Sequence, residues 1–310
     1  MLVTGGAGFI GRHLVEHFQG GAEIRVIDNF RSGSKKNLNG LKCELIVGSI
    51  LDRNLVRQAL EGIDYVFHLA AMVSVPESIE NPIECMEINS VGTLVLLEEA
   101  IRAETKKFIF SSSSAIYGDN PVSAKTEDTP PHPKSPYASS KLEAECHCNR
   151  FADEGHIQTV CLRYFNVFGP YQGPESQYAA AVPSFVRCAT ENRPLIIFGD
   201  GLQTRDFIYV KDVAAANAFF ATESPSTGVF NIACGRSITI NQLAKTICQL
   251  TNSSSQIRHD VQRAGDVRHS EAAVNKSRKA GFSPACDFEA GLCDTIDFFT
   301  RKSRANRLSR

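Results

Sequence analysis

Short apolar runs rich in β-branched residues alternate with segments of helical periodicity through the first half of the chain. Several runs are apolar almost without interruption, which is typical of parallel strands covered by helices on both faces. The pattern predicts strands at residues 2–4, 24–28, 44–47, 65–69, 108–111 and 160–163. It predicts helices at residues 13–18, 53–60, 89–103 and 139–152. Repeated strand–helix–strand units imply right-handed crossovers, so we predict an α/β fold with a doubly wound parallel sheet.

The pattern changes after residue 163. Residues 164–178 are rich in Gly, Pro and aromatic side chains, and an apolar helix at 182–189 and a strand at 195–198 follow. A strand at 230–233 and a helix at 240–250 then return in part to the first pattern. We predict that residues 166–310 form mainly a smaller mixed α/β lobe, with the chain returning to the first unit around residues 207–233.

Composition narrows the functional classes. The 310 residues are 43% hydrophobic and 22% charged with a formal net charge of −1, so no basic field favours nucleic acid or a membrane surface. No apolar run has the length of a membrane span, and the first strand leaves no room for a leader, so we expect a cytoplasmic protein. The ten cysteines are scattered without zinc-like spacing, which predicts free thiols and no metal. Residues 301–310 carry five Lys or Arg and are interpreted as a solvated tail.

A glycine-rich turn connects the first predicted strand with the next helix. Gly5, Gly8 and Gly11 give the spacing GxxGxxG, and Gly6 completes GxGxxG. Such turns let the backbone approach a pyrophosphate at a helix N-terminus, where a dipole and free N–H groups favour anions. Asp28 ends the next strand seventeen residues after Gly11, where a carboxylate accepts ribose hydroxyls and repels a 2′-phosphate. Residues 1–165 are therefore interpreted as an NAD-binding Rossmann domain, although nearby Arg31 leaves NADP open.

A tyrosine and a lysine stand four residues apart in Tyr137-Ala138-Ser139-Ser140-Lys141. At helical spacing both project from one face, and a neighbouring ammonium is expected to lower the pKa of the phenol so that it can act as a base. Four serines at 111–114 end a predicted strand at the sheet edge where ligands bind in open α/β folds. One of them could hydrogen-bond the reacting oxygen, and the pattern alone does not select which.

Five motifs occur in a fixed order: TGGAGFIG at 4–11, HLAA at 68–71, SSAIYG at 113–118, YASSK at 137–141 and RYFNVFGP at 163–170. Together they resemble the extended short-chain dehydrogenases/reductases that act on nucleotide sugars, and the similarity covers nearly the whole chain. The resemblance implies that Ser113, Tyr137 and Lys141 are catalytic. It also implies a homodimer that pairs the helices at 89–103 and 139–152, although the apolar spacing of these helices suits core packing equally.

The resemblance implies further contacts. The residues that would bind NAD, besides Tyr137 and Lys141, are Gly5, Gly8, Phe9, Ile10, Gly11, Asp28, Asn29, Arg31, Ser32, Ser49, Ile50, Leu69, Ala70 and Ala71. Ser49 departs from the Asp that relatives carry against the adenine. The residues that would bind a UDP-sugar are Ser74, Ser113, Asn166, Val182, Phe198, Arg205, Arg263, Asp266 and Ser270. In this set the arginines and Asn166 would contact the diphosphate, Asp266 a ribose hydroxyl, and Phe198 the uracil.

The residues before Tyr117 bear on the reaction. Related dehydratases and decarboxylases carry acidic residues there, whereas this chain has Ser114 and Ala115. Elimination then lacks its acid and base, which leaves oxidation and re-reduction at C4 of the sugar. The resemblance therefore implies a UDP-sugar 4-epimerase. Ser270 stands where epimerases of unmodified hexoses carry a bulky aromatic residue, so we expect UDP-GlcNAc and UDP-GalNAc, with UDP-Glc and UDP-Gal as further substrates.

Two other functions stay open at this point. The first is a UDP-glucuronate 4-epimerase, because Arg187, Arg193 and Lys211 have no assigned role and could face a C6 carboxylate. The second is a non-catalytic NAD-sensing protein that uses the fold as an interaction module. The sensor hypothesis predicts a broken Tyr–Lys pair, whereas both residues are present.

Overall fold

A computed structural model describes residues 1–173, 180–262 and 267–308, with side chains described through residue 301. Its centre is a seven-stranded sheet in the order β12-β7-β5-β4-β1-β2-β3, in which every neighbouring pair is parallel. The strands of this sheet are β1 (Leu2–Thr4), β2 (Arg25–Asp28), β3 (Glu44–Val47), β4 (Tyr65–His68), β5 (Lys107–Ser113), β7 (Gln158–Tyr164) and β12 (Gly228–Ile232). The α/β class with a doubly wound parallel sheet is confirmed.

Helices cover both faces of this sheet, and the buried residues form two core clusters, one on each face. The α-helices that precede β7 are α1 (Phe9–His17), α2 (Arg53–Leu60), α3 (Val75–Glu80), α4 (Pro82–Met86), α5 (Gly92–Arg102) and α6 (Pro136–Asp153). A π-helical turn, Glu87–Val91, joins α4 to α5. Because all seven strands run the same way, their carboxyl ends share one edge, and the predicted site motifs follow β1, β2, β4 and β5 at that edge.

The rest of the chain forms a smaller mixed lobe and returns once to the main sheet. The lobe strands are β6 (Ala124–Lys125), β8 (Asn166–Phe168), β9 (Leu195–Phe198), β10 (Thr204–Arg205), β11 (Phe207–Tyr209), β13 (Ile238–Thr239), β14 (Ile257–Asp260) and β15 (His269–Ala272). The helices are α7 (Ala181–Thr190), α8 (Val210–Ala218), α9 (Ile240–Leu250), α10 (Asn275–Lys279) and α11 (Phe288–Leu308). α8 packs on α1 and β12 pairs with β7, while α7, α9 and α11 enclose a separate lobe core.

Several predicted boundaries differ from the structure. α1 begins at Phe9 instead of residue 13. Its N-cap is Gly8, which has no side chain to form a capping hydrogen bond, so no capping residue in the sequence marks the start of this helix. The helix predicted at 89–103 contains the π turn over its first residues. The basic segment predicted as a tail from residue 301 continues α11 as far as Leu308. No helix in the described ranges is both long and apolar enough for a membrane crossing.

Candidate active site

The glycine turn after β1 is fixed by close contacts that exclude side chains. Gly5 has φ of +69°, and a Cβ there would lie 2.8 Å from the Ala70 nitrogen. A Cβ on Gly11 would lie 2.2 Å from the Gly5 oxygen. The first turn of α1, which begins at Phe9, has no intrahelical carbonyls for its N–H groups, so these groups face the turn as anion donors. This arrangement fits the pyrophosphate of a dinucleotide.

Asp28 lies at the carboxyl end of β2 beside this turn and is 7% exposed. Its Oδ2 accepts a hydrogen bond from Ala7 N at 2.9 Å, and its Oδ1 accepts one from Phe30 N at 2.7 Å. Each carboxylate oxygen has a second lone pair, so these bonds leave acceptor capacity for ribose hydroxyls. The backbone contacts of Asp28 are therefore compatible with the cofactor role expected for it.

The other predicted cofactor residues lie along the same edge. Leu69 and Ala70 follow β4 and are tied to β1, because Leu69 N donates to Thr4 O and Ala70 N to Thr4 Oγ1. Ser49 follows β3, and its Oγ accepts from Leu51 N at 3.2 Å. Asn29 Oδ1 accepts from Arg31 N. With Ala71, Ser32 and Ile50, these residues surround the glycine turn from β2, β3 and β4.

The catalytic candidates meet where β5 ends against the start of α6. Among the four serines, Ser111 bonds Tyr164 and Ser112 bonds Glu145. Ser113 is half-buried, its Oγ accepts from Ala115 N at 3.1 Å, and its hydroxyl lies close enough to Tyr137 to lower the pKa of that phenol. Pro136 and the Ser135 cap start α6 there, which places Tyr137 in the first turn. Lys141 is one turn further along, and its Nζ donates to Ser111 O at 2.9 Å. The geometry thus distinguishes Ser113 from its three neighbours, which the sequence could not do.

The expected lowering of the Tyr137 pKa is wrong for the protein without ligand. Burial raises the pKa of Tyr137, and the neighbouring Ser113 hydroxyl offsets part of that rise. The Lys141 ammonium is directed to the Ser111 carbonyl oxygen, and it does not offset the effect of burial on the phenol. Burial lowers the pKa of Lys141 to about 8, because the charged form of this lysine is destabilised when it is removed from water at the base of the site.

The Lys141 pKa gives a stability prediction. A buried ammonium whose pKa falls from 10.5 to about 8 destabilises the fold fully below pH 8, and this penalty disappears as the pH rises towards 10.5. Lys141→Met has no ammonium at this position and therefore no such penalty. The free energy of unfolding of the wild type, measured relative to that of the variant at the same pH, should therefore rise by up to about 3 kcal/mol between pH 7 and pH 10. Urea unfolding across that range measures the difference. Lys36→Met, at an exposed lysine, is the control, and a Lys141→Met difference as flat with pH as the control contradicts the prediction.

Asn89 is a site residue that the sequence reasoning missed. It lies in the π turn, is 1% exposed, and its Oδ1 accepts from Met72 N at 2.7 Å. Its Nδ2 donates to Met72 O and to Ser140 Oγ at 2.9 Å, which ties the loop after β4 to the Tyr137 helix. The available signal was an asparagine inside an apolar helical pattern, where it is a poor helix former.

A buried ion pair supports the catalytic edge from behind. Glu145 of α6 accepts from Ser112 Oγ at 2.5 Å and from Arg163 Nε at 2.9 Å, while its Oε2 accepts from Arg163 Nη2 at 2.7 Å. Both side chains are almost fully buried, at 2% and 7% exposure. Arg163 also donates to Tyr117 and to the Glu127 carbonyl. Glu145 is therefore committed to structure, and its carboxylate is not free to act as an acid or base.

Three predicted substrate residues adjoin the backbone of one residue, Asp206, whose own side chain is buried. Ser270 of β15 pairs in register with Arg205 of β10. The next residue, Asp206, donates its N–H to Ser270 O and accepts at its carbonyl from Asn166 N and Nδ2. The Asp206 carboxylate accepts from Cys234 N and Gly235 N, both at 2.9 Å, and burial raises its pKa to about 6. Asp206, another residue not identified from the sequence, thus holds Asn166, Arg205 and Ser270 together.

The remaining substrate predictions have mixed outcomes. Phe198 ends β9 and lines a narrow cleft with Gln203 and Arg268. Ser74 caps α3 through Glu77 N, which gives its hydroxyl a structural role. Val182 is 1% exposed in the lobe core, so the structure does not place it at an open surface. Arg263 and Asp266 lie outside the described residues.

Comparison with known proteins gives one family and consistent relatives. The model of the NAD dependent epimerase/dehydratase family matches residues 1–233. A solved UDP-N-acetylglucosamine 4-epimerase from Methanobrevibacter ruminantium M1, in complex with UDP-N-acetylmuramic acid, is 40% identical with a TM-score of 0.94. The alignment covers 97% of this chain and 98% of that one.

Two further relatives show the range of activities nearby. A UDP-glucose 4-epimerase from Thermotoga maritima, solved with UDP-glucose, is 40% identical over 97% of this chain and 99% of its own, with a TM-score of 0.93. A UDP-N-acetyl-alpha-D-glucosaminuronate decarboxylase from Bacillus cytotoxicus is 35% identical over 96% of this chain and 97% of its own length.

Proposed function

The chain belongs to the NAD dependent epimerase/dehydratase family, and within that family we propose that it epimerises a UDP-sugar at C4. NAD is its cofactor. The preferred pair in this proposal is UDP-GlcNAc and UDP-GalNAc, with UDP-Glc and UDP-Gal as further substrates. The observation that carries the proposal is the end of β5, where Ser113 meets Tyr137 while Ser114 and Ala115 occupy the adjoining positions.

The reaction assigns a role to each catalytic side chain. Tyr137 removes the proton from the sugar 4-hydroxyl, and Ser113 hydrogen-bonds the same oxygen as its charge develops. When bound beside the glycine turn, NAD would supply reversible hydride transfer at C4. Tyr137 would hold the proton from the 4-hydroxyl during the oxidised stage and return it to the same oxygen once the configuration at C4 has been inverted. Lys141 donates to the Ser111 carbonyl one helical turn from Tyr137, and its proposed role is to hold positive charge at the base of the site.

Ser114 and Ala115, before Tyr117, carry no acidic side chain, and this favours epimerisation over elimination and decarboxylation. Removal of water across C5–C6 needs a proton donor and a base near C5 and C6. Glu145 is the carboxylate that influences the Lys141 pKa, and it is engaged by Arg163 and Ser112. With Glu145 committed, Tyr137 is the side chain that we assign to proton exchange with the sugar 4-hydroxyl.

Substrate choice follows from the strand pair that carries Arg205 and Ser270. In the register of β10 and β15, Ser270 stands opposite the arginine proposed to bind the diphosphate, and its small side chain is compatible with a 2-acetamido group. The uronate alternative is weakened at two of its three cations, because Arg193 pairs with Glu191 and Lys211 with Asp294. The third, Arg187, has a buried Nε without a hydrogen-bond partner among the described residues. Incubation with UDP-GlcNAc, UDP-Glc and UDP-glucuronate, with products identified by NMR, tests this assignment. Conversion of UDP-glucuronate alone would favour the alternative, and no conversion of any would favour the sensor hypothesis.

Ser270→Tyr should separate the two neutral sugars. A bulky ring beside Arg205 is expected to lower kcat/KM for UDP-GlcNAc by about 10- to 100-fold through steric overlap, with little change for UDP-Glc. Ser270→Ala serves as the matched control and should keep both activities. The measurement is kcat/KM for each sugar with all three proteins. Equal losses for both sugars would show that Ser270 does not select the C2 substituent.

A further inference from the structure

A group of ion pairs lies at the carboxyl edge of the main sheet, beside the glycine turn. Arg31 follows β2, and its guanidinium reaches Glu77 of α3 and Glu84 of α4. Nη1 donates to Glu84 Oε1 at 2.5 Å, and Nη2 donates to Glu84 Oε2 at 2.9 Å and to Glu77 Oε1 at 2.8 Å. The contact with Glu84 is a two-point fork, the geometry that suits a planar guanidinium. We call Arg31, Glu77 and Glu84 the Arg31 clasp.

The order of strands shows what the Arg31 clasp spans. β1 lies between β2 and β4 in the sheet, and the glycine turn leaves the carboxyl end of β1. Arg31 follows β2, whereas Glu77 and Glu84 belong to the helices that follow β4. The ion pairs therefore join the two elements that flank the glycine turn.

The segment that carries Arg31 also lies directly against this turn. A Cβ on Gly33 would lie 2.7 Å from the Ala7 carbonyl atoms, and Ser34 N donates to Ala7 O at 3.1 Å. Asn37 Nδ2 donates to the same oxygen at 2.8 Å. The loop after β2 is thus fixed to the glycine turn at one end and to α3 and α4 through Arg31.

The charges around this loop oppose a second phosphate. Three carboxylates, from Asp28, Glu77 and Glu84, stand against the one guanidinium of Arg31, and the fork to Glu84 and the bond to Glu77 engage both of its terminal nitrogens. A 2′-phosphate at the ribose beside Asp28 would meet this acidic group without a free arginine to bind it. The sequence alone left NADP open because Arg31 is close to Asp28.

We propose that the Arg31 clasp closes the adenosine end of the cofactor site, slows the release of NAD and excludes NADP. The inference rests on the cofactor position used in the proposed function. All three side chains are partly exposed, at 32%, 40% and 44%, so the clasp contributes little to global stability. The Arg31 clasp acts instead on the rate at which the cofactor site opens, and added salt weakens its ion pairs by screening.

Two variants with opposite consequences for NADP test the clasp. Arg31→Gln removes the cation, whereas Glu77→Gln with Glu84→Gln removes the two carboxylates and frees Arg31. Glu44→Gln is the matched control, because Glu44 pairs with Arg25 at the opposite end of β2. The holoenzyme is mixed with excess labelled NAD to measure exchange of the bound cofactor, and dissociation constants for NAD and NADP are measured on stripped protein.

The expected results separate the clasp from a general loosening of the fold. Both clasp variants should exchange NAD about 3- to 5-fold faster than wild type and the Glu44→Gln control, as for a surface ion pair worth up to about 1 kcal/mol. Only the double glutamine variant should bind NADP better relative to NAD, by about tenfold, because a freed arginine can pair with phosphate. Wild-type exchange should quicken with added salt, and Arg31→Gln exchange should not.

Either of two outcomes overturns the inference. Exchange at the wild-type rate in both variants contradicts closure of the site, and an unchanged NADP preference in the double variant contradicts exclusion. These measurements require no sugar turnover. A failure of the proposed epimerisation with normal NAD binding therefore stays distinguishable from a failure of the clasp.

Discussion

Tyr137→Phe is expected to lower kcat for the 4-epimerisation by about 1,000-fold, within the range for loss of a positioned general base. The phenol is the group at the end of β5 that can exchange a proton with the sugar 4-hydroxyl, and Ser113 alone cannot take that proton at neutral pH. The fold and the bound NAD should be unaffected, because the described hydrogen bonds of the cofactor edge do not use the phenol oxygen. Steady-state turnover and the absorbance of released cofactor measure both effects.

Tyr65→Phe is the matched control for this variant. Tyr65 begins β4 at the opposite edge of the sheet from Tyr137, so loss of its hydroxyl should leave kcat unchanged. If Tyr137→Phe retained turnover within tenfold of wild type with NAD bound, another group would be the base. The assignment of the proton transfer to Tyr137 would then be wrong.

Glu145→Ala is expected to reduce the free energy of unfolding by about 3–5 kcal/mol, since it leaves the Arg163 charge buried and uncompensated. Glu145 accepts two hydrogen bonds from Arg163 and one from Ser112, so the variant also frees the strand that carries Ser113. Activity should therefore fall even below the unfolding transition. Urea denaturation followed by circular dichroism gives the stability change.

Two comparisons make this prediction specific to the buried pair. Glu44→Ala removes an exposed partner of Arg25 and should cost less than about 1 kcal/mol. Replacing both members, Glu145→Met with Arg163→Met, should recover much of the stability, because no unpaired charge remains. A loss for Glu145→Ala as small as that for Glu44→Ala would contradict the role assigned to the pair.

The strands of the main sheet could be predicted because the residues of each strand carry the signal that marks it. Nearly uninterrupted apolar runs mark strands that are buried on both faces, and the bounds of β3, β9, α2 and α9 agree with the sequence pattern. Predicted boundaries were wrong where no residue marks the end of an element, as at the start of α1, where the N-cap is a glycine without a side chain. The π turn at Glu87–Val91 was missed because its extra residue is compatible with a helical hydrophobic pattern.

The candidate site was predictable where residues adjoin in sequence and not where distant segments meet. The Tyr137–Lys141 spacing and the glycine turn are local features. Asp206, by contrast, receives hydrogen bonds from loops 28 and 29 residues away, and no pattern around it marks those partners. The predicted direction of the Tyr137 pKa shift was wrong because burial of the phenol, which raises its pKa, depends on segments distant in sequence. The Ser111 carbonyl that accepts the Lys141 hydrogen bond also lies 30 residues earlier in the chain.

The most direct test of the central claim follows the hydrogen at C4. UDP-GlcNAc carrying deuterium at C4 is incubated with the purified protein in ordinary water without added NAD, and the product is examined by NMR. The account predicts UDP-GalNAc with deuterium retained at C4, because the same hydride leaves and returns inside one active site. A 4-epimer that has exchanged deuterium for solvent hydrogen, or a product of dehydration or decarboxylation, would contradict it.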